Sequence, residues 1–111
     1  MTVTVVDVLR RAMERITPEG TWIQRQARRD ANPAIGRPTG YCAGGVINYT
    51  VGSLILPGDM RNDYLRSRAF YALEQAIGIR DIPGWNDDPS RTHEDVLLAF
   101  KRAIEIAEDS Q

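Results

Sequence analysis

One cysteine and one histidine, Cys42 and His93, make up the whole soft-ligand inventory of these 111 residues. A lone cysteine cannot close an internal disulfide, so oxidative stapling is excluded and a reducing compartment fits. Two N/S donors also fall short of the four that a structural zinc site takes, and no metal and no cofactor is expected. Lysine is nearly missing as well: of the fourteen basic residues only Lys101 is not arginine. The arginines are scattered, there is no recognition-helix pattern, and the pI of about 5.8 is acidic. Nucleic-acid binding through Arg25, Arg28, Arg29 and Arg37, with Trp22 free to stack, is therefore disfavoured. No apolar run approaches the roughly 20 residues of a membrane helix, and no basic region followed by an apolar stretch opens the chain. A cytoplasmic protein with no membrane association is the expectation.

What is present describes a folded domain. Hydrophobic residues make up 42% and charged residues 26%, with a formal net charge of -1, far from the signature of disorder. The length predicts one domain over residues 1–111 with a single core. The charge is uneven along the chain. Residues 1–40 carry seven basic and four acidic side chains, net +3, whereas residues 81–111 carry three and eight, net -5. Such a dipolar chain could steer a partner or draw two copies together.

The periodicity predicts a mainly α fold, a four-helix domain with one short extended segment near residues 21–28. Val5, Val8, Leu9, Ala12, Met13 and Ile16 form the stripe of a first helix, about Val3 to Arg15, with Thr4 and Asp7 spaced as a capping box. Arg10 and Glu14 fall four apart on its solvated face, with Arg11 and Arg15 beside them. Pro18 and Gly20 end it, Trp22 anchors the extended segment to the core, and Asp30 to Gly40 reads as a loop. Tyr41 to Leu54 is a buried helix in which Gly44 and Gly45 admit another element close to the backbone. Asp63 to Ile77 is a third helix closed by Gly78, and Ile79 to Pro89 a connector. Thr92 and Asp95 then start a last helix striped by Val96, Leu97, Phe100, Ala103, Ile104 and Ala107.

The densest stretch is Ile82 to Val96. Its Trp85-Asn86-Asp87-x-Pro89-x-Arg91-Thr92-x3-Val96, together with Trp22-x-Gln24, Ala27-Arg28-x-Asp30, Cys42-x-Gly44-Gly45 and the closing Arg102-Ala103-Ile104-x2-Ala107, resembles a family of small uncharacterised proteins from actinobacteria, other bacteria and their phages. The resemblance covers roughly residues 20–107. It implies a phage or prophage origin and marks motif positions without supplying an activity.

Several chemistries can be weighed on these residues. Trp85, Asn86 and Asp87 could form an exposed loop with an aromatic platform. Alternatively Trp85 plugs the core, Asn86 and Asp87 make side-chain turns, Thr92 caps the helix and Arg91 pairs with Asp87 or Asp88. Cys42 and His93 are the one nucleophile and base pair available, oriented by Asn86 or Asp87, though no nucleophile motif accompanies them. Asp87, Asp88, Glu94 and Asp95 lack the spacing of a calcium loop. Gly36, Gly40, Gly44 and Gly45 lack the ending of a phosphate loop, although a helix start near Tyr41 with Arg37 could hold an anion.

The leading expectation is a non-enzymatic binding protein acting through a host protein or as a homodimer, with Trp22, Arg28, Asp30, Trp85, Asn86, Asp87 and Arg91 as ligand-binding or partner-binding residues. A nucleotide or anion held by Trp22, Arg28 and the Trp85-Asn86-Asp87 loop is the second expectation, and a Cys42/His93 hydrolase or transferase the third.

Overall fold

Two threonines set the ends of the helical layer. In the computed structural model, which describes residues 2–30, 38–56 and 58–110, Thr4 accepts from the Asp7 N–H while the Asp7 carboxylate accepts from the Thr4 N–H. Helix α1 then runs Val5–Ile16. Thr92 and Asp95 repeat the same reciprocal bonds at the start of α5, His93–Asp109. Each such cap satisfies two otherwise orphaned donors, and loss of its threonine costs about 1 kcal/mol. The expected capping boxes are both present.

Between them lie α2, Ala43–Leu54, α3, Met60–Ile77, and α4, Ile82–Asp87. Gly78 closes α3 with a left-handed φ of 79°, which glycine adopts without a Cβ clash. Helix α3 begins one turn before the expected Asp63, because Asp59 caps it by accepting from the Arg61 N–H. Helix α1 packs against α2, α3 and α5, while α3 packs against α5 and α2. Val8, Leu9, Ile16, Ile47, Leu73, Val96 and Phe100 fill the shared core and are fully buried. No described helix is long and apolar enough to cross a membrane.

Two expectations change. The described residues form five helices rather than four, since the supposed connector Ile79 to Pro89 contains α4. Asp81 caps α4 by accepting from the Gly84 N–H, and Pro83 sits in its first turn, where its missing N–H costs nothing. The extended segment is also displaced. Strand β1 is Arg28–Asp30 and pairs antiparallel with β2, Pro38–Tyr41, so parts of the expected Asp30–Gly40 loop are strand. Residues 31–37, including Gly36 and Arg37, lie outside the described residues. Tyr41 bridges to the other side too, donating to the Thr21 carbonyl at 2.8 Å and accepting from the Ile23 N–H at 3.0 Å. Gly40 makes this crossing possible, for a Cβ there would stand 2.9 Å from Ile23 Cγ2.

Gly45 has the expected close approach: a Cβ there would run into the Ala27 carbonyl, which also accepts from the Cys42 N–H at 3.0 Å. The charge asymmetry is partly answered within the chain. Arg10 reaches across to Glu108 at 2.8 Å rather than to Glu14, joining α1 to α5; both side chains are about half exposed, so the pair adds little stability.

Candidate functional site

Asn86 is the centre of the motif, and it points inward. Its side chain is fully buried at 0% exposure on α4. Its Oδ1 accepts from Trp22 Nε1 at 2.7 Å and from the Ala43 N–H at 2.9 Å. Its Nδ2 donates to the Ile23 carbonyl at 3.1 Å and to Asp87 Oδ1 at 3.0 Å. An amide has two acceptor lone pairs and two donors, so every hydrogen-bonding position of Asn86 is used. One side chain thereby ties α4 to the start of α2 and to the extended segment.

The neighbours complete the tie. Gln24 Nε2 donates to the carbonyls of Asn86 and Asp88, each at 2.9 Å. Asp87 accepts from the Arg25 N–H at 2.8 Å, and Arg25 carries a left-handed φ of 69°, a strained state for a residue with a Cβ. The Arg25 N–H and then the Asn86 amide hold the Asp87 carboxyl below its usual pKa. Asp88 is likewise lowered, by the Ser90 N–H and hydroxyl. Asp87 and Asp88 each take these bonds on Oδ1, Asp95 caps α5, and no group of three metal-ligating side chains occurs among the described residues.

Trp85 and Arg91 stand on the outer side of the same stretch. Arg91 donates from Nε to the Trp85 carbonyl at 2.9 Å and lays its guanidinium 4.2 Å from the Trp85 ring centroid. It reaches Asp88 only at 4.0 Å. Trp85, half-buried, packs against the core and lines a shallow groove with Ala76 and Ile77 of α3 and Leu98 and Arg102 of α5, between the two helices where a core plug was expected but without being enclosed by them.

Cys42 and His93 each meet a different backbone group. Cys42 caps α2, its Sγ accepting from the Gly45 N–H at 3.2 Å. His93 is half-buried rather than exposed: Nε2 hydrogen-bonds to the Ile16 carbonyl, and the ring stacks on Trp22 with centroids 6.1 Å apart and planes 12° from parallel. With a carbonyl as partner, Nε2 carries the proton and donates. The histidine thus locks the α5 start to the α1 end.

Of the expected site residues, the structure brings together Trp22, Asn86 and Asp87 as one internal network and sets Trp85 and Arg91 beside it. Arg28 and Asp30 lie apart on β1, where Arg28 Nε approaches Asp30 Oδ1 at 3.4 Å. A different surface is open. Val3, Val5, Tyr64, Arg68, Tyr71 and Ile106 line a cleft of about 320 Å³ between the α1 start, α3 and the α5 end. Tyr64 and Tyr71 are 59% and 50% exposed, and Arg68 lies 5.8 Å from the Tyr64 ring centroid. The sequence reading missed this face, although Tyr64, Arg68 and Tyr71, spaced four and three apart, mark a second stripe along α3.

The family of unknown function DUF6197 matches residues 1–106, and the chain belongs to it. No curated protein and no solved structure matches the chain.

Proposed function

We propose that this is a small non-enzymatic binding protein, phage or prophage encoded and cytoplasmic, that acts through a protein partner or through self-association. The observation that carries the reading is the Tyr64–Arg68–Tyr71 cleft. Tyrosine and arginine around an apolar floor are residue types that dominate interface energies, tyrosine because it buries a large area with few torsions to fix and arginine because its planar fork makes several hydrogen bonds at once. The motif residues support the reading from the other side. The polar groups of Trp22, Asn86 and Asp87 are bonded to one another, which leaves them little to offer a nucleotide, and Cys42 and His93 each serve a different backbone group.

The test places a photo-crosslinking side chain at Tyr71 in the native host and measures sedimentation of the purified protein over a range of concentrations. A discrete adduct, with a second copy or with one other protein, that disappears when Arg68→Glu is added supports the proposal. A monomer at every concentration with no discrete adduct overturns it. So does any turnover that is lost in a folded Cys42→Ala or His93→Ala variant.

A further inference from the structure

Away from that cleft, two guanidinium groups share one aromatic ring. Arg15 Cζ lies 5.0 Å from the Tyr49 ring centroid and Arg28 Cζ lies 6.0 Å from it. Tyr41 packs its ring 5.3 Å from that of Tyr49. Arg15 sits at the last turn of α1, Tyr49 on the middle of α2, and Arg28 and Tyr41 are register partners across β1 and β2. Four elements therefore converge to place these side chains. Arg15 was expected to lie on a solvated face; instead it is half-buried and folds back onto α2.

The charges there are not balanced. Arg15 makes no ion pair among the described residues; it donates to the neutral Ser53 hydroxyl at 3.3 Å and meets the Tyr41 hydroxyl, also neutral. Its Nε–H is buried without an acceptor among the described residues. A buried guanidinium donor without an acceptor costs free energy, and such groups in folded proteins call for an explanation. Among the described residues the one carboxylate ion-paired with the cluster is Asp30, at 3.4 Å from Arg28, which offsets one of the two positive charges. Burial raises the Tyr41 pKa, although Arg15 and Arg28 oppose it, so its hydroxyl stays protonated near neutral pH.

We propose that Arg15, Arg28 and the Tyr41–Tyr49 pair form a binding site for a small phosphate-bearing molecule. The planar guanidinium fork of Arg15 matches phosphate oxygens, and a second guanidinium over the same ring supplies the second charge that a dianion needs. Stacking on Tyr49 holds both arginines in place before binding, which lowers the entropy lost on capture. This site lies apart from the Tyr64–Tyr71 cleft and stands or falls independently of the binding role proposed there.

The probes are inorganic phosphate and phenyl phosphate, titrated into the isotope-labelled protein at constant ionic strength while the arginine Nε–H resonances are followed. The expected result is a saturable shift of the Arg15 Nε–H signal with either probe, weakened about tenfold or more in Arg28→Gln. Arg28 is exposed on an edge strand, so that variant keeps its fold even if Arg15→Gln does not. No saturable shift at millimolar phosphate overturns the proposal, as does an equal shift from chloride. Binding of a single-stranded oligonucleotide with no response to either small probe also overturns it, in favour of a nucleic-acid backbone as the occupant.

Discussion

Replacing Asn86 by alanine removes four hydrogen bonds at once and is the sharpest probe of how this fold is held. The Ala43 N–H and the Ile23 carbonyl lose a buried partner, and Trp22 Nε1 loses a half-buried one. Each buried group left unpaired costs about 1–3 kcal/mol. Some relaxation and water entry offset this, so the net loss is on the order of 3–5 kcal/mol, a large share of the roughly 5–15 kcal/mol that stabilises a domain. At about 4 °C per kcal/mol the melting temperature falls by on the order of 12–20 °C. Urea unfolding followed by far-UV circular dichroism measures the loss. Asn86→Asp supplies an internal check. It keeps an acceptor for Trp22 and Ala43 but turns the donor side into an oxygen facing the Ile23 carbonyl and the Asp87 carboxylate. Its folded pKa is then raised, so the penalty is small in acid and grows as pH rises past the unfolded value near ~3.9. A loss below about 1 kcal/mol in Asn86→Ala, with an unchanged urea slope, would refute the claim that this amide ties the three segments together.

Two glycines of α2 should respond in opposite directions to alanine. Gly45→Ala drives a Cβ into the Ala27 carbonyl and is expected to cost about 1–3 kcal/mol by forcing the β1 approach outward; Gly52, exposed and with open space around it, should gain about 0.5–1 kcal/mol. Thermal melts of both variants decide the matter, and equal effects would show that the close approach is wrongly placed. Asp87 makes a pH prediction. Because its carboxyl is held below the usual value by the Arg25 N–H and the Asn86 amide, its contribution is present above the unfolded pKa and is lost as pH falls through the folded one. The stability gap between wild type and Asp87→Ala should therefore narrow as the solution is acidified below about pH 4, and a gap that does not change with pH contradicts the assignment.

The helical layer was legible because its signals are local. Thr4 with Asp7 and Thr92 with Asp95 lie three residues apart, and the stripes of α1, α3 and α5 repeat within single helices, so no distant residue is needed to read them. Glycine at 78 likewise marks a helix end by its own backbone freedom. The short α4 was harder to see: six residues show too little periodicity to stand out, and Pro83 and Gly84 read as turn residues unless Asp81 is taken as a cap. Strand β2, Pro-Thr-Gly-Tyr, has the composition of a loop and becomes a strand only because β1 and the Thr21–Ile23 segment pair with its two sides.

For the candidate site the division is sharper. Trp22, Asn86 and Asp87 could be picked out as one motif, and structural roles for them could be weighed, but their partnership could not be read. Asn86 bonds to Trp22 across 64 positions and to Ala43 across 43, and no sequence spacing encodes which distant N–H a side-chain amide will meet. The same holds for Arg15. By periodicity it belongs to a solvated face, yet Tyr49 and Ser53, brought in by the packing of α2 on α1, fold it back as a half-buried cation. Chain-local propensity and capping therefore determined the four long helices, with the starts of α1, α2 and α3 shifted by two or three residues, and left the short α4 unread. Burial and the pairing of sequence-distant polar groups, which exist only once the helices have packed, decided that Asn86 faces inward while Trp85 stays half-buried beside it, that the Tyr64–Tyr71 cleft is left open and that Arg15 folds back against Tyr49.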